Sequence, residues 1–246
     1  MIDSTGRFIK NLKVNPPPKW WHLLTSSANG KYIAYYYWIQ DTSFKYIIKT
    51  DTGVYAPLQM ISDTIYRIEL ATGDITKIYA PLYFPLGYGI EDICLSPDGE
   101  KLVGGIGYAN PLIYIPSWTG VIDIPSKKYY TLASPDSIYP VRKHRTVFPP
   151  IDIDVSRSYM YPVYSPNGKY IAFIAEFSDS TNVGNNVVWV MNSDGTNMHP
   201  VVRREDILCC DPVWSPDSKK ILVYINFKQT QNHNLNGLYI INVFGK

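Results

Sequence analysis

The sequence predicts an all-β fold of repeated four-stranded units, a β-propeller, on three observations. A turn phrase recurs four times, as Ser27-Ala28-Asn29-Gly30, Ser96-Pro97-Asp98-Gly99, Ser165-Pro166-Asn167-Gly168 and Ser215-Pro216-Asp217-Ser218. A second turn signal follows each of the first three copies. No run of helical period stands out. A repeat on this scale, with each copy flanked by short β-rich runs, indicates radial stacking of small antiparallel sheets.

The elements follow from local chemistry. In the turn, proline pre-sets φ near −65°, and Asp or Asn followed by glycine accepts the left-handed geometry that closes a hairpin. Ahead of the turn lie short first strands: Ile93 to Leu95, Val163-Tyr164, and Val213-Trp214. Behind it lie second strands rich in β-branched and aromatic residues: Lys31 to Trp38, Lys101 to Ile106, Tyr170 to Phe177 and Lys220 to Phe227. Third and fourth strands are expected at Ile65 to Leu70 and Ile75 to Tyr79, at Val121 to Ile124 and Tyr129 to Leu132, and at Val187 to Met191 and Met198 to Val202. The turns between them are Ala71-Thr72-Gly73-Asp74, Pro125-Ser126 and Asn192-Ser193-Asp194-Gly195.

The last unit offers Leu208 to Trp214, Ile221 to Phe227 and Leu238 to Val243, and no fourth strand. The segment Ser4-Thr5-Gly6-Arg7-Phe8-Ile9-Lys10-Asn11-Leu12 imitates Ala71 to Ile78, a turn plus a fourth strand. An N-terminal strand is therefore expected to complete the last blade and remove an open sheet edge. The turn serines are 69, 69 and 50 residues apart, with 58 between Ser215 and Ser27 counted round the termini. These comparable intervals describe one domain over residues 1–246 and a closed ring of four blades. Five blades, with a degenerate unit in 136–157, and a fragment of a larger propeller are the alternatives.

Ser96-Pro97-Asp98-Gly99-Glu100-Lys101, together with Val188-Trp189-Val190-Met191-Asn192-Ser193-Asp194-Gly195-Thr196-Asn197, resembles the TolB-type, WD40-like propeller repeat. The likeness covers most of the chain at the level of blades. It implies a propeller fold and an exported setting. It also implies six or more blades, more than the four units counted here.

Composition excludes several classes. The net charge of +2 is too small to indicate nucleic acid or acidic lipid. No apolar stretch reaches membrane-spanning length, and Met1 to Gly6 lacks the apolar core of a signal peptide. Only 18% of residues are charged and 21 are tyrosine. With the resemblance, that favours an exported, periplasmic or cell-surface protein; a cytoplasmic one is the alternative. Cys94, Cys209 and Cys210 are odd in number and lack zinc spacing, and are expected as small buried apolar side chains on first strands.

Variable length gathers in the connections between second and third strands and between blades. These are 14–22, 39–63, 80–91, 108–120, 133–157, 178–186, 203–207 and 228–237. Because strands alternate direction, these loops share one face and the tight turns the other. Long loops on a rigid scaffold are where binding usually resides. The aromatics Tyr55, Tyr83, Phe84, Tyr88, Tyr108, Tyr114, Trp118, Tyr139 and Phe148 are assigned to that face as contact area for a protein or a sugar, or as packing for the loops themselves. Arg142, Lys143, His144 and Arg145 form the one dense basic cluster, with Arg203-Arg204 on the same expected face.

No cofactor is expected, save that Asp152 and Asp154 alternate as half of a calcium site or an acid/base pair would. Asp92 and Asp211 enter first strands near the channel mouth, where satisfying backbone donors is the plainer role. The histidines share no ligand spacing, and no nucleophile elbow, phosphate loop or dinucleotide fingerprint occurs. The preferred function is a non-catalytic binding or scaffolding module that contacts a protein partner through the loop face within a surface or multi-subunit assembly. The alternatives are a carbohydrate-active hydrolase or lyase using channel carboxylates, and a structural subunit of a filament, coat or virion. Partners expected are proteins, assembly neighbours or a glycan, without nucleic acid or membrane insertion.

Overall fold

The computed structural model of the chain describes residues 24–49, 55–78, 88–108, 118–133, 157–177, 185–202, 207–227 and 235–244. They form four blade units. The first comprises β1 (Leu24–Ser26), β2 (Tyr32–Lys49), β3 (Tyr55–Glu69) and β4 (Ile75–Ile78); the second β5 (Tyr88–Leu95), β6 (Lys101–Tyr108), β7 (Trp118–Asp123) and β8 (Lys128–Ala133). The third comprises β9 (Arg157–Tyr164), β10 (Tyr170–Phe177), β11 (Asn185–Asn192) and β12 (His199–Pro200); the last β13 (Ile207–Trp214), β14 (Lys220–Phe227) and β15 (Gly237–Asn242). Within each unit neighbouring strands pair antiparallel in chain order. A single parallel pair, Asn186↔Leu208, links β11 to β13 and joins the last two units into one sheet. The fold is a β-propeller. The stretch expected to supply a closing strand, residues 4–12, lies outside the described residues.

The repeated turn is closed by its own side chains. In the second unit Ser96 Oγ donates to Asp98 Oδ1 at 2.5 Å and accepts from Lys101 N at 2.9 Å, while Gly99 N donates to Ser96 O. The other three turns keep this scheme, with Asn29 or Asn167 replacing aspartate in two of them. Gly99 stands at φ 78°, the left-handed region that glycine enters without cost. The fourth copy puts Ser218 there at φ 59°. Its hydroxyl, 3.1 Å from Asn167 N, accepts that N–H from the preceding blade, which accounts for a side chain at a glycine position.

The core lies between blades rather than within them. Strands alternate their faces, so the second and third blades each bury one set of residues against the blade before and another against the blade after. Ala34, Ile65 and Ile78 meet Leu95, Leu102 and Ile122 at the first junction. Val103 and Val121 meet Tyr164, Ile171, Phe173 and Met191 at the second. Ala172, Ile174, Val188 and Val190 meet Trp214, Ile221, Val223 and Ile225 at the third.

One expectation needs correcting. Residues 39–63 are largely ladder, not loop. β2 runs for 18 residues where β6, β10 and β14 run for 8 each. Its pairing with β3 continues to Lys49↔Tyr55, passing a register shift between Asp41 and Lys45. Tyr55 and Tyr108 are therefore strand residues. The extra ladder extends for about 30 Å at 3.3 Å per residue. Beyond Ile65, where β4 stops pairing, it has only two strands among the described residues.

Candidate functional site

The first strands β1, β5, β9 and β13 neighbour one another in that order, as strands around a propeller axis do. Three of them carry an irregularity just ahead of the turn, in β9 and β13 four residues before the turn serine and in β5 one residue earlier. β9 shifts register around Tyr161-Pro162 and β13 around Asp211-Pro212, with φ of 53° and 50° at Tyr161 and Asp211. β5 shifts between Ile90 and Asp92. Proline lacks the N–H a ladder needs, so it sits at a bulge, and the bulge turns neighbouring groups out of register.

The result is a small polar group. Asp92 Oδ2 accepts the Tyr161 backbone N–H at 3.0 Å, across the second junction. Burial holds the Asp92 carboxyl above the ordinary carboxylate range; the Tyr161 hydrogen bond opposes this, and the negative charge of Asp211 adds to it. Asp92 thus satisfies a backbone donor, as expected of it, but the donor lies 69 residues away rather than nearby. Two carboxylates are brought within electrostatic reach. Among the described residues no group of three His, Cys, Asp or Glu side chains could hold a metal ion.

All three cysteines are free; Cys209 is buried as expected, and Cys94 and Cys210 are half-buried, less than expected. Burial pushes the Cys209 thiol up to about 11 and raises Cys94 and Cys210 as well. Such thiols are poor nucleophiles at neutral pH. Cys94 Sγ instead accepts from Tyr164 N at 3.4 Å. His199 lies on β12, its Nδ1 2.8 Å from Asn197 O.

Of the loop-face residues, Tyr88 and Trp118 are strand residues, opening β5 and β7 and paired with Tyr108 and Ile106. The β5–β6 ladder continues through Gly107 to Tyr108, past Ile106, where the sequence reading ended the second strand. Tyr83, Phe84, Tyr114, Arg142, Lys143, Arg145 and Arg203 lie outside the described residues, as do Asp152 and Asp154. Sequence reasoning missed the long β2–β3 ladder. The signal for it was the aromatic and β-branched density of Phe44 to Ile48.

The turn face is occupied by contacts between blades. Asn29 N donates to Pro97 O at 3.1 Å, and Asn29 Nδ2 donates to Asp98 O at 3.2 Å. Arg67 Nη1 donates to Gly99 O at 2.9 Å and to Glu100 Oε2 at 3.3 Å, with its guanidinium 4.4 Å from the Tyr32 ring centre. The additional strand length is all at the opposite face. No described helix is long and apolar enough to cross a membrane.

These features define a β-propeller, and solved structures, a TolB among them, agree on the fold. TolB from Acinetobacter baumannii superposes with a TM-score of 0.52 at 15% identity, over 98% of this chain and 48% of that one. Oligogalacturonate lyase from Vibrio parahaemolyticus gives 0.50 at 15% identity, over 89% of this chain and 61% of that one. A prolyl endopeptidase gives 0.50 at 13% identity, over 89% and 27%. The chain thus spans about half the length of that TolB. No family model and no curated protein matches the sequence.

Proposed function

We propose that the chain is a non-catalytic binding module whose loop face, led by the extended β2–β3 ladder, contacts a protein partner. The ladder is the observation that supports this. A two-stranded ribbon is marginally stable alone in water, and no other strand among the described residues pairs with its edges beyond Ile65. Both features suit a segment that gains a partner by strand addition or by covering of its faces. The turn face, engaged in blade-to-blade contacts, offers less. The aromatic and basic residues Tyr83, Phe84, Tyr114, Trp118, Arg142, Lys143, Arg145 and Arg203 belong to the same contact surface in this reading.

The test is a co-purification in which residues 42–58 are replaced by a tight turn, alongside alanine at Tyr114, Trp118 and Arg142. The ribbon replacement should keep the far-UV spectrum of the blades and lose the partner. Retention of the partner by every variant removes the loop-face assignment.

One observation favours a second reading, that of a carbohydrate-active enzyme: Asp92 and Asp211 lie within electrostatic reach beside the bulges. The likeness to an oligogalacturonate lyase points the same way at the level of fold. Activity on a polysaccharide panel that disappears in both Asp92→Asn and Asp211→Asn would replace the binding reading with this one.

A further inference from the structure

The buried hydroxyl of Thr119 makes no hydrogen bond within the chain. Thr119 is 0% exposed and stands in β7, two residues before Val121. Strand alternation puts both on the face turned to the third blade, where Val121 packs with Tyr164, Ile171 and Phe173. Register pairs Thr119 with Gly105, and Gly105 with Asp92. Asp92, Gly105 and Thr119 therefore form one cross-strand row on that face. The bond from the Tyr161 N–H of the third blade to Asp92 Oδ2 fixes its direction.

The row has a gap at its middle, because Gly105 carries no side chain. At about 4.8 Å between strands, the backbones of Asp92 and Thr119 are about 10 Å apart. Beside Tyr161 in the third blade stands Pro162, which is buried and has no N–H to give. A hydroxyl shut away from both solvent and partners is disfavoured, and buried polar groups are otherwise paired almost without exception. The core cluster of the first junction, by contrast, is aliphatic, built from residues such as Ala34, Ile65, Leu95, Leu102 and Ile122.

We infer that the second junction holds an internal water site, with the Thr119 hydroxyl at one end and the Asp92 carboxyl at the end nearer the propeller axis. Water suits the row because it both donates and accepts, and an internal water is held by polar groups that would otherwise go unpaired. The Thr119 hydroxyl can donate and accept. Asp92 engages Tyr161 through Oδ2 and has a second oxygen. Burial, which holds that carboxyl above the ordinary range, favours a protonated form that can also donate. The span of about 10 Å, less the reach of the two side chains, takes about two waters at hydrogen-bond spacing. This inference does not depend on the binding reading above.

The test is a crystal structure at a resolution that orders water, together with two substitutions. Water density should lie within hydrogen-bond distance of Thr119 Oγ1 in the wild-type chain. Thr119→Val keeps the shape, removes the hydroxyl and leaves the water short of a partner, so it should lower Tm. Thr119→Ser keeps the hydroxyl, and its crystals should keep the water. A wild-type hydroxyl with no water beside it would overturn the inference. So would a Thr119→Val chain that melts at or above the wild-type temperature, since removing a dry, unpaired hydroxyl stabilises the fold.

Discussion

The backbone N–H of Leu95 donates to the Thr25 hydroxyl 3.1 Å away, across 70 residues of sequence and one blade junction. The same pair of repeat positions meets at the next two junctions, with a thiol and then a backbone carbonyl as acceptor. A repeated phrase in the sequence therefore fixes a repeated contact between blades as well as a turn within each.

Trp214 makes the third such contact and sits in the largest core cluster, 8% exposed. Trp214→Phe keeps most of the apolar area and loses the bond to Val163 O. It should cost about 1 kcal/mol, the usual net value of one hydrogen bond. Trp214→Ala should cost about 3–5 kcal/mol. Urea titration with an unchanged slope checks both.

Gly30 and Gly99 share a turn position and a positive φ but differ in surroundings. A Cβ at Gly30 meets nothing within 4 Å; one at Gly99 would overlap the Tyr32 ring at Cδ2. Gly30→Ala should cost only the left-handed penalty, about 1–2 kcal/mol. Gly99→Ala must also push Tyr32 from beneath Arg67, adding about 1–3 kcal/mol of overpacking. Thermal melts of the two variants should rank accordingly; equal losses would show that Tyr32 yields freely.

Turn aspartates and Asp92 should respond to pH in opposite senses. Hydrogen bonds from Ser96 and Ser215 hold the Asp98 and Asp217 carboxyls below their ordinary 3.8. Their contribution is present above the unfolded value and is lost as pH falls through the folded value. Asp98→Asn with Asp217→Asn should keep the turn, as Asn29 and Asn167 do, and flatten stability against pH below about 3.8.

Asp92 is raised, so the folded protein loses stability as pH climbs from 3.8 through the folded value. Asp92→Asn retains an oxygen for Tyr161 N–H. It should raise Tm at pH 7 and leave it unchanged near pH 2.

The turn chemistry and the strand order were legible because both are local: serine, proline, Asx and glycine act on atoms within five residues. The facing of the blades was not legible in runs such as Ile221-Leu222-Val223-Tyr224-Ile225, which are apolar at every position; the alternation shows only in their burial. Nor were the contacts across junctions, because Tyr164 N, Val163 O and Leu95 N are backbone groups that every residue carries. Asp92 could be nominated as a channel residue, but its donor Tyr161 depends on a bulge 69 residues away. The β2–β3 ladder was hidden because Asp41-Thr42-Ser43 breaks the alternation, and a register shift falls there.

Thiol chemistry offers a further check. Alkylation at pH 7.5 should spare Cys209 and Cys94 in the folded protein and reach all three cysteines in urea, with Cys210 reacting first. Rapid native labelling of Cys209 would contradict its place in the core between the last two blades.

The native mass of the protein recovered from its source without denaturation tests the binding reading most directly. The account predicts a stoichiometric complex with a different protein, lost when residues 42–58 are replaced by a turn. A chain found alone, or only with its own copy, and carrying the mass of a glycan or a metal would contradict it.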